Sequence, residues 1–175
     1  MTTNKDMILD ALDRAEQRLE RALDGVTLEQ ANTFPAPEQA PTIKSLTWLT
    51  WHTAREIDTQ LAPLAGTEPL WTSERFRERF ALDLPDDTPD YRHTPEEASK
   101  VVAPSLELPL EYLHAAVAAA RQYLRGLDEG ALDDVVDESW TPAVTRASRL
   151  VSIIDDAIMH SGQAVYTRRL LGLED

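Results

Sequence analysis

The sequence predicts an all-α protein with the architecture of a four-helix bundle, and two observations support this prediction. Four long segments of the 175-residue chain repeat apolar residues at three- and four-residue steps, the spacing of one face of an α-helix. No segment alternates apolar and polar residues in the way that is typical of a half-buried strand. Because a long stretch of chain separates the second and third segments, we expect a long crossover connection between helices 2 and 3 of the bundle.

Each predicted helix ends at or beside a glycine, a residue that is common at helix C-termini. The second helix begins at Thr42 or Ser45, and Pro63 should kink or end it because proline removes a helical hydrogen bond. The fourth helix begins at Ala143 or Thr145. The four predicted helices cover about residues 4–25, 42–66, 104–126 and 143–171.

The crossover connection covers about residues 67–103 and contains four prolines. It includes two short amphipathic pieces, at about 73–80 and 95–102. A structureless loop of this length is uncommon in a compact domain, so we expect the connection to pack over the bundle. A second connection covers residues 127–142, and its acidic part, 128–138, is expected to be a solvated surface.

The fourth predicted helix is apolar around almost its whole circumference. Ile154 and Ile158 lie on one side, while Val151, Met159 and Tyr166 lie beyond the other edge of the apolar arc. A helix of this kind is usually buried all round. We therefore expect its outer side to meet either the crossover connection or a second subunit, and we predict a homodimer.

The composition is that of one globular domain over residues 1–175, with 42% hydrophobic and 27% charged residues. The net charge of −14 repels phosphate backbones and anionic membranes, so neither nucleic acid nor a membrane is an expected partner. No cluster of Lys and Arg offers a local exception. The chain has no cysteine, its first residues include no apolar run of the length typical of a signal peptide, and no apolar stretch is long enough to span a membrane, so we expect a cytoplasmic protein.

Two histidines stand on separate predicted helices, and one of them lies beside a carboxylate. His52 is at the edge of the apolar stripe of the second helix. Asp156 and His160 are four residues apart in the fourth helix, so they share one face of it. Side chains of facing helices can build a metal site inside a bundle, and these three are candidates for one. Glu56, one turn after His52, could be a fourth ligand, a partner of His52 or a general base.

The chemistry of these residues suits zinc, nickel, iron or manganese, since imidazole and carboxylate without thiolate carry no preference for a soft metal. The ordinary alternative is that Asp156 and His160 form a plain (i, i+4) pair and that His52 is a histidine at the edge of the core. His93 is a distant candidate for reaching the site, and His114 is expected on a helix surface. Spacing alone leaves both interpretations open.

Four groups of residues, spread over the whole chain, match one known family in order and spacing. They are Trp-Leu-Thr-Trp-His at 48–52 with Arg55 and Asp58; Trp71, Phe80, Tyr91 and His93; the segment 140–152; and Asp-Asp-x-x-x-His-x-Gly-Gln-Ala-x-Tyr-x-Arg at 155–168. With these motifs the chain resembles the DinB-like superfamily of metal-dependent four-helix bundles, also called DinB/YfiT-like. The resemblance is strongest to its actinobacterial mini-circle branch, which is related to mycothiol-dependent maleylpyruvate isomerase-like proteins.

This resemblance implies a four-helix bundle, frequently dimeric, with a divalent metal at one end. In the better-known members three histidines bind the metal, one from the second helix and an (i, i+4) pair from the fourth. Carried over by position, the ligands here are His52, Asp156 and His160, with aspartate in place of the middle histidine. Zinc or nickel is the first candidate for this set, and iron or manganese the second.

The resemblance also implies a chemistry. Characterised relatives include metal-dependent transferases and isomerases that use low-molecular-weight thiols such as mycothiol or bacillithiol. Their metal lowers the pKa of the cofactor's thiol, so the protein itself needs no cysteine. We therefore expect a thiol-dependent transferase or isomerase with a small-molecule substrate. The alternatives are a non-catalytic stress-response or binding protein with a vestigial metal site, and a metal-dependent hydrolase.

Overall fold

The computed structural model describes residues 3–85 and 92–174 and confirms the all-α prediction. A two-stranded hairpin is the only sheet within these residues. The helices of the described residues are α1 (Asn4–Leu23), α2 (Leu28–Asn32), α3 (Leu46–Ala65), α4 (Leu70–Ser73), α5 (Phe76–Phe80), α6 (Pro95–Ser99), α7 (Glu107–Gly126) and α8 (Arg146–Leu170). The strands are β1 (Val135–Asp137) and β2 (Val144–Thr145).

The four long helices, α1, α3, α7 and α8, form the predicted bundle. Helix α8 packs against both α1 and α3, and α7 packs against the same two helices from the other side. Because α3 and α8 are neighbours, residues in the middle of α3 can face residues in the second half of α8. Apolar side chains of all four helices fill the core, among them Leu12, Leu19, Leu49, Ile57, Leu113, Val117, Ile153 and Ala157.

Side-chain caps decide where the helices of the candidate site begin. Helix α3 starts after Ser45, whose hydroxyl accepts a hydrogen bond from the Trp48 N–H at 3.1 Å. Thr145 caps α8 in the same way. Of the two starts predicted for each helix, Ser45 and Thr145 are therefore correct. Pro63 lies inside α3, which ends two residues later, where Gly66 adopts a left-handed conformation with φ of 66°.

The crossover connection packs over the bundle, as predicted, and aromatic side chains attach it. The rings of Trp71 and Phe76 lie 5.5 and 4.5 Å from that of Tyr112 on α7, centroid to centroid. The helix predicted at 73–80 is interrupted, because Arg75 adopts a left-handed conformation between α4 and α5. Tyr91, part of the family resemblance, lies outside the described residues.

The hairpin of β1 and β2 corrects the expectation that the chain forms no strand. Its strands are three and two residues long, too short for an alternation of apolar and polar residues to stand out in the sequence. The hairpin also corrects the expectation that the acidic stretch is only a solvated surface. Asp137 is half-buried and accepts a hydrogen bond from Arg149 Nη2 of α8 at 2.8 Å.

The outer side of α8 is exposed in the single chain, whereas the sequence predicts a helix that is buried all round. Val151 and Tyr166 expose 62% and 58% of their surface, and Ile158 and Met159 are also exposed. Among the described residues of the crossover connection, α4 contacts α3 and α5 contacts α7, and neither is a main contact of α8. The homodimer therefore stays a prediction. Among the described residues, no helix combines the length and apolar character needed to cross a membrane.

Candidate metal centre

Helices α3 and α8 bring three metal-ligating side chains together in the bundle. One ligand atom from each of His52, Asp156 and His160 lies within 4.8 Å of the other two. The ring centroids of the two histidines are 4.6 Å apart, and their planes are nearly perpendicular, at 88°. His160 Nε2 lies 3.3 Å from Asp156 Oδ1. The structure thus places the three predicted ligands in one cluster, which has the geometry of a possible metal site.

A tryptophan of α3 fixes the positions of both imidazoles. His52 exposes only 2% of its surface, and its ring stacks on that of Trp48, one turn earlier, with centroids 4.4 Å apart. The edge of the same indole meets the ring of His160 at 6.0 Å. Because protein interiors are close-packed, neither imidazole can turn far without displacing this buried indole. The two rings are therefore held in place before any ligand binds.

A glutamine orients His160. Gln163 Oε1 lies 2.8 Å from His160 Nδ1, so the Nδ1–H donates to the amide oxygen and Nε2 is the nitrogen that faces Asp156. Burial acts to lower the pKa of His160. The hydrogen bond and charge of Asp156, the hydrogen bond of Gln163 and the charge of Glu56 outweigh burial, so the pKa lies above its usual value.

The donor set fits a divalent metal. Asp156 Oδ2 is buried and has no hydrogen-bond partner among the described residues. A buried carboxylate oxygen without a donor is costly, and a bound cation would compensate it. Two imidazoles and one carboxylate would also leave one position of a tetrahedral site open, which is the arrangement of reactive rather than structural zinc.

Glu56 lies near this cluster without joining it. Its Oε2 accepts a hydrogen bond from Gln60 Nε2 at 2.6 Å, within α3. Its charge contributes to the raised pKa of His160, so the carboxylate is close enough to influence the site. It is not one of the three residues whose ligand atoms lie within 4.8 Å of one another. This position suits an outer acid or base better than a fourth ligand.

A second group of possible ligands was not recognised in the sequence. Ligand atoms of Glu16, Glu20 and His114 also lie within 4.8 Å of one another, between α1 and α7. Glu20 Oε1 is 2.8 Å from His114 Nε2, and Arg121 forms an ion pair with Glu16. The (i, i+4) spacing of the two glutamates was a visible signal, but only the fold shows that His114 faces them.

His93, the distant candidate, contacts the tryptophans around the cluster, but it is not among the three residues whose ligand atoms converge there. Its Nδ1 accepts a hydrogen bond from Trp48 Nε1 at 3.1 Å, and its ring stacks on Trp51 with centroids 5.9 Å apart. His93 and Trp51 also line a cavity of about 510 Å³ together with Arg55 and Trp71. The cavity thus shares an aromatic wall with the surroundings of His52.

A buried carboxylate holds the wall of this cavity in place. Asp58 accepts hydrogen bonds from the backbone N–H groups of Leu70 and Trp71, both at 2.8 Å, and from the Tyr112 hydroxyl at 2.7 Å. Burial and the neighbouring charge of Asp58 raise the pKa of Tyr112, so its hydroxyl stays protonated and donates. The Arg55 guanidinium lies 4.8 Å from the centroid of the Trp71 ring. Asp58 therefore fastens the crossover connection to both α3 and α7.

Comparisons with known proteins place the chain in a family. A family model described as mycothiol S-transferase matches residues 7–172. The chain is similar to a conserved protein from Enterococcus faecalis whose crystal structure is known. The two share 53% sequence identity, and their structures superpose with a TM-score of 0.91 over 98% of each chain. No curated protein matches the sequence significantly. Because the family model spans nearly the whole sequence and the fold is the expected bundle, the chain belongs to the mycothiol S-transferase family, which is a DinB-like family.

Proposed function

We propose that this protein is a metal-dependent thiol transferase, in which His52, Asp156 and His160 hold a divalent metal, zinc or nickel before iron or manganese. The observation that carries the proposal is the convergence of two buried histidines and a carboxylate with an uncompensated buried oxygen. Family membership supports a transferase that uses mycothiol or a related small thiol, with a small molecule as its second substrate. A cytoplasmic location is part of the same proposal.

The residues of the site suggest which group would supply each part of the reaction. The chain contains no cysteine, so the reacting sulfur belongs to the thiol cofactor. A metal bound by the three residues would lower the pKa of that thiol and favour the thiolate at neutral pH. Gln163 holds His160 with Nε2 toward the site, and Trp48 holds His52. Glu56 is half-buried and its charge acts on His160, and in this proposal it accepts the proton that the thiol loses.

The cavity next to the cluster supports a small second substrate. Its volume of about 510 Å³ lies within the range of small-molecule sites. Trp51 and Trp71 give it flat apolar walls, and Arg55 adds a positive charge. A flat electrophile with a polar acceptor matches these features.

The experiment is to follow consumption of mycothiol, and separately of bacillithiol, with a fluorogenic alkylating electrophile and metal-reconstituted protein. We expect a metal-dependent rate that falls at least tenfold in Asp156→Asn, where the ligand charge is lost, while Asp156→His restores much of it. Glu20→Gln, in the surface group, is the matched control and should keep the full rate. No acceleration by any metal with either thiol would reject the proposal, and thiol-independent turnover would point to a hydrolase.

One observation favours the alternative of a non-catalytic binding protein. The contact of 3.3 Å between Asp156 and His160 is also that of an ordinary (i, i+4) ion pair, which needs no metal. Metal titration separates the two readings. If the site binds metal, zinc raises the midpoint of thermal unfolding of the parent but not that of Asp156→Asn; if the pair is only structural, zinc leaves both midpoints unchanged.

A further inference from the structure

Four arginines of α1 and α8 line one cleft, although the chain as a whole carries a net charge of −14. Arg18 and Arg21 come from α1, Arg168 and Arg169 from α8, and the cleft has a volume of about 420 Å³. None of the described residues that line it is acidic. We propose that this cleft binds a small oxyanion with two or more negative charges, a phosphate monoester or a polycarboxylate.

This cluster corrects the expectation that the chain has no group of basic residues. That expectation holds along the sequence, where no run of Lys and Arg occurs, but it is wrong in three dimensions because α1 packs on α8. The four guanidinium groups repel one another, and their gathering therefore has a cost. Arginine in the last turn of a helix does interact favourably with the helix dipole, but Arg18 lies before the last turn of α1.

The arginines of the cleft differ from others in the chain by their partners. Five arginines elsewhere form ion pairs with carboxylates: Arg14, Arg79, Arg121, Arg146 and Arg149. In the cleft, Arg18, Arg21 and Arg168 form no ion pair with any carboxylate of the described residues. Their charge is therefore left for a bound anion to neutralise.

Neutral groups hold two of these guanidiniums in place. Arg168 Nη1 donates to the carbonyl oxygens of Ala22 at 3.2 Å and Asp24 at 2.7 Å, and its Nε donates to the Glu174 carbonyl at 2.6 Å. Arg18 Nη1 lies 3.5 Å from Ser161 Oγ. Carbonyl and hydroxyl oxygens orient the guanidiniums without cancelling their charge. The Nη2 group of Arg168 keeps its donors unused among the described residues, which suits a phosphate or carboxylate.

The position of the cleft separates it from the candidate metal centre. It lies between α1 and α8, whereas His160 faces α3, so an oxyanion here would not occupy the metal site. The cleft volume is that of a small-molecule site. A nucleic acid would meet the strongly acidic remainder of the surface, so a small ligand fits better than a polymer.

The test is titration of the whole protein with glucose 6-phosphate and, separately, with tricarballylate at constant ionic strength, followed by calorimetry and thermal unfolding. These probes avoid strong chelators, which would also remove metal. We expect saturable binding of at least one probe and a higher unfolding midpoint when it is bound. The double variant Arg18→Gln/Arg21→Gln should bind at least about tenfold more weakly, because each charged hydrogen bond contributes substantially.

The matched control is Arg125→Gln, an exposed arginine in the last turn of α7 outside the cleft. It should bind the probe as the parent does, and metal content should be the same in all three proteins. Preferential binding of the sugar phosphate would identify a phosphate monoester site, and preference for tricarballylate a polycarboxylate site. The proposal is overturned if neither probe saturates, or if Arg125→Gln weakens binding as much as the double variant does.

Discussion

The described residues contain two groups of one chemistry in two environments, and the contrast between them shows which features favour a metal site. The inner group is His52, Asp156 and His160; the outer group is Glu16, Glu20 and His114. In both, ligand atoms lie within 4.8 Å of one another. In the outer group Arg121 forms an ion pair with Glu16, and the contact between Glu20 and His114 is half-exposed to water.

Within the described part of the chain, the inner group has no arginine partner and is more deeply buried. Asp156 forms no ion pair with a lysine or arginine of the described residues, and its Oδ2 is buried without a hydrogen bond. Both histidines of the group are at least nine-tenths buried. Proximity of ligand atoms is therefore a weak indication of a metal, while proximity combined with burial and a buried carboxylate oxygen that has no donor is a stronger one.

The largest expected effect of a substitution is on metal content. If this effect were absent, the contrast between the inner and the outer group would not hold. His52→Ala removes one of three ligands and should reduce bound metal from about one equivalent to almost none. His114→Ala removes the only histidine of the outer group and should leave metal content unchanged. Elemental analysis of protein purified without chelators or an affinity tag measures both. Equal losses in the two variants would mean that the inner group is not the site.

A second comparison is between the carboxylate of Asp58, which is buried, and that of Asp156, which is half-buried. Asp58 is fully satisfied by three hydrogen bonds, and Asp156 is not. Asp58→Asn should lower the free energy of unfolding by about 3 kcal/mol, since it removes charged hydrogen bonds and leaves a buried donor unpaired. In metal-free protein, Asp156→Asn should cost less, about 1 kcal/mol. Denaturant unfolding measures both, and a larger cost for Asp156→Asn would assign this residue a structural role.

The smallest expected effect is a pH dependence within the inner group. The pKa of His160 lies above its usual value, so the pair with Asp156 stabilises metal-free protein below about pH 6.5, the pKa of an unfolded histidine. This stabilisation is lost as pH rises through the raised pKa. The difference in unfolding free energy between the parent and Asp156→Asn should therefore shrink as pH rises from about 6.5 through the raised pKa of His160. A difference that stays constant over this range would show that His160 does not titrate against Asp156.

The sequence predicted local features better than distant ones. The cap at Thr145 and the shared face of Asp156 and His160 follow from rules that act within a few residues, and the structure has both. The approach of His52 to that pair depends on how α3 packs on α8; spacing left it open, and the family resemblance favoured it. Its role as a metal ligand remains a prediction.

The features that the sequence did not predict arise from contacts between distant segments. Arg18 and Arg168 are far apart in the chain and come together because α1 packs along α8. The hairpin was not predicted because its strands are very short. It is also held by an ion pair between Asp137 and Arg149 of α8, a contact between separate elements that the sequence pattern does not show. Periodicity carries no information about either, since it describes one element at a time.

The hydrogen bonds of Asp58 have a consequence for how substrates would be selected. They fasten Leu70 and Trp71 to α3 and α7, so this wall of the cavity is built into the body of the domain. A wall of this kind does not fold over an arriving molecule. Selection at this wall would then follow lock-and-key recognition, in which a molecule is accepted for the shape it already has, and a new specificity would come from exchanging side chains there.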